Sequence, residues 1–245
     1  YHAYKMGTER LREVGKDRHS LILGAGPSLE QQYPYLRQAK QKGALVIAPL
    51  TVVQPLRDKG LLDCVDLFCV IDPWIAQRCY LATGVEGLPI VAEWKCLLDV
   101  AKLPNVIAVG AADDRLVNWV QDELEREYGA WVCGENVIHA CWDLARYMGC
   151  IDATLLGCDL CYEKGKHVTG VAEWNVRTLD ELMTVDVIAW GGSGTVRTGQ
   201  GFERAIIAAM RMFASRPEFP TFNCTEGGDR PREGGERPRI QEARV

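Results

Sequence analysis

The sequence predicts an α/β fold: a Rossmann-like, mostly parallel sheet with helices on both faces. Three observations predict it. Short apolar or β-branched runs alternate with stretches of helical periodicity along 245 residues, the pattern of repeated βαβ units. The first such run ends in a glycine turn that opens directly into a helix start, Leu21-Ile-Leu-Gly-Ala-Gly-Pro-Ser-Leu29. The hydrophobic fraction of 47% supports one sizeable core in a chain of this length.

Taken in order, Ser20 to Gly24 reads as the first strand. Pro27 fixes φ where a first-turn amide has no partner, and Ser28 with Gln31 three residues on has the spacing of a capping box. Further strands are expected over Ala44 to Pro49, Asp66 to Asp72, Pro89 to Trp94, Asn105 to Gly110 and Ala153 to Asp159. Asp114 is placed to start a helix from Arg115 to Tyr128, whose Leu116, Trp119, Val120 and Leu124 recur at helical spacing. Val137, Cys141, Leu144 and Met148 stripe another helix, which Gly149 stops. Thr178-Leu-Asp-Glu181 has the form of a second capping box, and Phe202 to Phe213 forms a late amphipathic helix. Trp119 and Trp142 are expected in the core, and Cys224 at a strand-to-loop closure. From Thr225 the composition turns to Glu, Arg, Gly and Pro, too polar to offset ordering entropy. The expected organisation is therefore one domain over residues 1–224 and a flexible polar tail over 225–245.

Charge and composition exclude some partners. A net charge of −5 provides no basic footprint, which argues against nucleic acid. No run of eighteen apolar residues and no signal-peptide core occur, so a soluble, cytoplasmic protein without a membrane span is expected. The opening on Tyr1 rather than methionine points to a trimmed start. The ten cysteines, scattered through apolar stretches, read as free thiols in a reducing compartment. Cys158 and Cys161 form one C-x-x-C with no second pair at zinc-ligand spacing, so no metal site is assigned.

In an open parallel sheet, ligands lie beyond the carboxyl ends of the strands. That rule selects Gly24 to Ser28, Thr51, Asp72-Pro-Trp74 and Gly157-Cys-Asp-Leu160. The first cluster offers glycines for close backbone approach and a helix N-terminus for an anion. It lacks both the third glycine of a dinucleotide fingerprint and the Gly-Lys-Ser/Thr of a P-loop. Gly134-Glu-Asn136 adds a second helix start with open amides. Trp74, beside Asp72, is the tryptophan best placed to stack on a base or sugar, and Trp190 borders the Gly191 to Gly194 loop.

Together these segments resemble the Maf (motility accessory factor) glycosyltransferases and the 6-hydroxymethylpterin diphosphokinase-like proteins grouped with them. The matching stretches are Leu21 to Leu29, Val65-Asp-Leu-Phe-Cys-Val-Ile-Asp-Pro73, Gly134-Glu-Asn-Val137 and Ala145-Arg-Tyr-Met-Gly-Cys150. They continue with Leu155-Leu-Gly-Cys-Asp-Leu160, His167-Val-Thr-Gly170, Val196-Arg-Thr198 and Asn223-Cys-Thr-Glu-Gly-Gly228. The glycine start and the Leu-x-Gly-x-Asp strand end are also similar to bacterial sialyltransferases that use CMP-activated sugars. Those enzymes place a histidine after the Gly-x-Asp strand as base on the acceptor hydroxyl, and His167 is the match, with Asp159 beside it as the second catalytic candidate.

The resemblance implies a nucleotide held by Gly24, Gly26, Pro27 and Ser28, with Thr51, Asp72, Gly134, Asn136, Gly157 and Asp159 around its base, ribose or sugar. Trp74, Tyr162 and Glu226 would line the substrate. The implied reaction is transfer of a sugar, a nonulosonic acid from a CMP donor, to an acceptor glycan, protein or small molecule, with no firm cofactor. Imidazole suits the proton transfer, and helix amides suit the leaving phosphate. Two alternatives stand beside it: Mg²⁺- and ATP-dependent pyrophosphate transfer to a pterin, and a non-catalytic nucleotide-binding module. For the first, the turn after the third strand carries one carboxylate, Asp72, where an Asp-rich turn would be expected. Maf proteins carry segments flanking this module, so acceptor contacts would come from loops or from another chain, as a homo-oligomer would supply.

Overall fold

The structure is a computed structural model and describes residues 8–74, 89–96, 105–111, 119, 130–131, 136–162, 184–188 and 194–225. Among the described residues, eight strands form one sheet. They are β1 (His19–Leu23), β2 (Leu45–Pro49), β3 (Leu67–Val70), β4 (Ile90–Glu93), β5 (Val106–Ala111), β6 (Ala130–Trp131), β7 (Asp152–Leu156) and β10 (Thr221–Asn223). The spatial order is β10-β7-β1-β2-β3-β4-β5-β6, and every neighbouring pair is parallel. Four described helices accompany it: α1 (Leu29–Gln41), α2 (Val53–Asp58), α3 (Val137–Tyr147) and α4 (Gln200–Ala214).

The strands are apolar on both sides because both faces are covered. On β2, Val46 and Ala48 join Leu29, Tyr33 and Leu36 of α1 and Leu56 of α2 in one core. The alternate residues Leu45 and Ile47 pack with Cys141, Trp142 and Leu144 of α3 and Phe213 of α4 in the other. Trp142 ties that second core together: its ring meets Phe213 at 5.1 Å and Phe219 at 5.3 Å, and its Nε1 donates to Thr221 Oγ1 at 2.7 Å.

The six expected strands and the helices that begin near residues 29, 137 and 200 are present. Gly149, at φ +82, stops α3 as expected, because only a residue without Cβ takes the left-handed region cheaply. β10 supplies the closure expected before Cys224, whose amide donates to Leu155 O at 2.9 Å. Two features were not expected. β6 has two residues, and an antiparallel pair, β8 (Thr184–Ile188) with β9 (Thr195–Gly199), stands outside the sheet.

Two expectations fail. Trp119 is 58% exposed rather than in the core, and the Ser28/Gln31 capping box does not form. The helix predicted over 115–128 lies outside the described residues apart from Trp119. The Thr178 capping box, Trp190 and the polar tail beyond Thr225 also lie outside them.

Topology fixes where a ligand can sit. From β1 the chain works outward through β2 to β6, then returns to place β7 on the other side of β1 and β10 beyond it. β1 and β7 are therefore neighbours whose connections leave in opposite directions, and their carboxyl ends flank the crevice characteristic of doubly wound sheets.

Candidate active site

A cleft of about 420 Å³ opens at that crevice. Its walls are Gly24, Ala25 and Gly26 after β1, Thr51 after β2, Ile71 and Asp72 after β3, and Gly157 to Leu160 after β7. Asn136, Val137 and Ile138 at the start of α3 and Phe202 of α4 complete it. Seven sequence-selected residues thus meet in one cavity: Gly24, Gly26, Thr51, Asp72, Asn136, Gly157 and Asp159. Another depression, of about 330 Å³ between α3 and α4, is lined by Arg146, Arg211 and Arg216 and shares no residue with the cleft.

The glycines pack two loops against each other. Gly24 N donates to Leu156 O at 2.6 Å, and Gly26 N to Gly157 O at 2.8 Å. A Cβ on Gly24 would enter the Gly157 carbonyl, and one on Gly26 would enter the Asp159 carboxylate. Gly157 sits at φ +67, and a Cβ there would lie 2.6 Å from Leu29 Cβ. The β1 and β7 loops can approach this closely only without side chains at these positions.

Asp159 explains the missing capping box. Its carboxylate accepts from Ser28 N at 2.9 Å and from Ser28 Oγ, so α1 is capped from another strand's loop. Both groups are buried, Ser28 fully and Asp159 to 9% exposure. The signal for this is tertiary, because Ser28 and Asp159 are 131 residues apart. Beyond Asp159, Leu160 takes φ +47, rare for a non-glycine residue, and its carbonyl accepts from Thr198 Oγ1 at 2.6 Å. Tyr162 N donates to Arg197 O at 2.8 Å, which ties the β7 loop to β9.

The other selected residues divide clearly. Asn136 caps α3, its Oδ1 accepting from Ile138 N at 3.0 Å, and still faces the cleft. Asp72 Oδ1 accepts from Trp74 N at 2.8 Å; Trp74 itself is 64% exposed and is not among the residues that line the cleft. Tyr162 lies 5.7 Å from the ring of Phe202, which borders the cavity. Pro27, half-buried, and Ser28, buried, are not among the residues that line the cleft. His167, Gly134 and Glu226 lie outside the described residues.

Cys158 is held as a structural thiol. Burial, reinforced by Asp159, pushes its pKa well above the ordinary range; its Sγ donates to Leu156 O at 3.7 Å and its amide to Thr225 Oγ1 at 3.0 Å. A thiol kept protonated is a poor metal ligand and a poor nucleophile. The eight described cysteines stand outside any disulfide, and no group of three or more potential metal ligands occurs among the described residues. The described lining carries two charged groups, Asp72 and Asp159, both acidic.

Residues 2–165 match the family model described as "MptE-like: 6-hydroxymethylpterin diphosphokinase MptE-like". The chain belongs to this family. Its fold is similar to the solved structure of a Maf glycosyltransferase from Magnetospirillum magneticum AMB-1, at TM-score 0.67 and 17% identity. That likeness covers 99% of this MptE-like chain, which spans 36% of the length of the Maf chain. No curated protein matches the sequence. No helix among the described residues is long and apolar enough to cross a membrane.

Proposed function

We propose that this MptE-like protein is a glycosyltransferase whose cleft at the β1/β7 crevice binds a nucleotide-activated sugar, of the CMP-nonulosonate type, and transfers the sugar to an acceptor hydroxyl. The observation that carries the reading is the convergence of Gly24, Gly26, Thr51, Asp72, Asn136, Gly157 and Asp159 on one cleft at the point where the strand order reverses. The fold likeness to a Maf glycosyltransferase supports it.

In this reading Thr51 and Asn136 offer hydrogen bonds to the base or ribose, and Trp74 and Tyr162, each two residues beyond a cleft-lining residue (Asp72 and Leu160), contact the sugar. His167 takes the acceptor's proton as the hydroxyl oxygen attacks the anomeric carbon, and the bond to the nucleotide phosphate breaks. Imidazole suits that task because its ordinary pKa lies near neutrality. The resemblance assigns Gly134 to the nucleotide and Glu226 to the substrate, the acceptor being a glycan, a protein or a small molecule.

The test combines a ligand panel with one substitution. CMP and CMP-sugars should raise the melting temperature by several degrees where UDP-sugars and ATP do not, since a ligand that binds only the folded state stabilises it. His167→Ala should keep that shift while losing at least about a hundredfold in turnover, the range of general-base catalysis. A His167→Ala protein with full turnover would remove the histidine from the chemistry.

One observation favours a second reading, transfer of pyrophosphate from ATP to a pterin. The charged groups of the described lining are both carboxylates, and the family description names a diphosphokinase. A divalent cation fits the residues through Asp72, whose Oδ1 already serves Trp74 N, together with oxygens of the substrate's phosphates. Such a cation would neutralise charge on the transferring group. Melting shifts that require ATP with Mg²⁺, accompanied by AMP release in the presence of a pterin, would select this reading over glycosyl transfer.

A further inference from the structure

The Gly24 to Ser28 turn has the outward form of a phosphate cradle, yet its donors at Gly24, Gly26 and Ser28 are already engaged. Gly24 N is bonded to Leu156 O, Gly26 N to Gly157 O, and Ser28 N and Oγ to the carboxylate of Asp159. Asp159 lies where a bound anion would lie at a helix N-terminus, and it satisfies the same amide and the same positive end of the dipole. The site is built around that carboxylate. Position 26 is glycine, and any Cβ there would occupy the carboxylate's space. The segment after Asp159 is fixed by Leu160 in the left-handed region, whose carbonyl accepts from the Thr198 hydroxyl. A ligand phosphate approaching Ser28 would have to displace a buried, doubly bonded carboxylate and would meet its negative charge.

We infer that Asp159 is the resident anion of the α1 N-terminus, a positioning residue that closes this turn to phosphate and makes the cleft hold its nucleotide with the phosphate directed away from Ser28. This deepens the nucleotide reading above and rests on it for the orientation of the ligand. Closure of the turn itself can be tested without any nucleotide. Asp159 then selects by charge: the part of the substrate against the β1 turn is uncharged and hydroxyl-bearing, and a phosphate there is repelled.

The experiment uses the full chain labelled with ¹⁵N and titrated with inorganic pyrophosphate, in the wild type and in Asp159→Ala and Asp159→Asn. In the wild type the Ser28 and Leu29 amide resonances should stay in place up to millimolar pyrophosphate. Removing the charge should open the turn, so that both resonances move and pyrophosphate binds at least tenfold more tightly than to the wild type. Asp159→Asn keeps an acceptor for Ser28 N and guards against a failure of the alanine variant to fold. Saturable movement of the Ser28 amide in the wild type would overturn the inference, as would a folded Asp159→Asn that gains no pyrophosphate affinity. Failure of the nucleotide reading would appear separately, as a ligand panel with no melting shift while the pyrophosphate result stands.

Discussion

At the scale of single residues, two glycines that look alike in the sequence are there for different reasons. A Cβ at Gly26 would collide with the Asp159 carboxylate, whereas Gly43, at φ +86, has no atom within 4 Å of its added Cβ. Gly26→Ala should therefore cost about 1–3 kcal/mol through overpacking, a melting loss of about 2–4 °C per kcal/mol in a protein of this size. Gly43→Ala should cost about 1–2 kcal/mol through backbone conformation alone, and Gly43→Asn less, because asparagine tolerates the left-handed region. Melting curves of the three variants check this, and equal losses for Ala and Asn at 43 would contradict it. A second residue-level prediction concerns alkaline pH. Burial raises the Cys150 thiol from 9.0 to about 11, so the folded chain holds a proton that the unfolded chain releases. The stabilisation is fully present below pH 9 and falls as pH rises from about 9 to 11. Melts at pH 8, 9, 10 and 11 should decline across that window, and Cys150→Ala should flatten the decline. An unchanged slope in the variant would show that other groups cause it.

At the scale of elements, sequence reasoning succeeded where local pattern and tertiary role coincide. β2, β3 and β4 are apolar runs buried along their whole length, and β1 and β7 carry apolar residues at their carboxyl ends, so composition marked them. The α3 helix carried its own stripe, its own cap in Asn136 and its own stop in Gly149. The α1 cap was misread because Asp159, distant in sequence, does the work that Gln31 was placed to do. The β8–β9 pair was missed for a related reason. Its residues are half-buried or exposed apart from Thr198 and Gly199, so no strong apolar alternation distinguishes it. The double role of Asn136, cap and cleft wall, allows the two to be separated. Asn136→Ala removes the acceptor for Ile138 N and should cost about 0.5–2 kcal/mol. Asn136→Asp keeps the cap and should retain wild-type stability, while its added negative charge weakens nucleotide binding. Urea unfolding and calorimetric titration with CMP measure the two effects, and equal destabilisation by both variants would reject the cap as the source.

At the scale of the whole molecule, the site was legible because a parallel sheet gathers the carboxyl ends of its strands, so residues from four separate segments could be assigned to one edge before their distances were known. What could not be read was how that edge is held shut from the far end of the chain. β10 pairs with β7 through Thr221, Phe222 and Asn223, which makes it the edge strand beside the crevice. Thr221 Oγ1 accepts a hydrogen bond from the Trp142 indole, and Thr225 Oγ1 accepts one from the amide of Cys158, the residue before Asp159. The last described segment therefore links the α3/α4 core to the loop that caps α1. A chain ended at Pro220 would lose β10, leave the Trp142 indole without its acceptor and free the Cys158 amide. Each buried group left unsatisfied costs about 1–3 kcal/mol, so the sum is a large part of the about 5–15 kcal/mol that holds a typical domain folded. The shortened chain should melt at least about 5–10 °C lower than the full chain, and hydrogen exchange at Ser28 and Leu29 should accelerate with it, because the α1 cap depends on the loop that Thr225 steadies. A shortened chain whose Ser28 and Leu29 amides stay as protected as in the full chain would show that the Asp159 loop holds its position without β10.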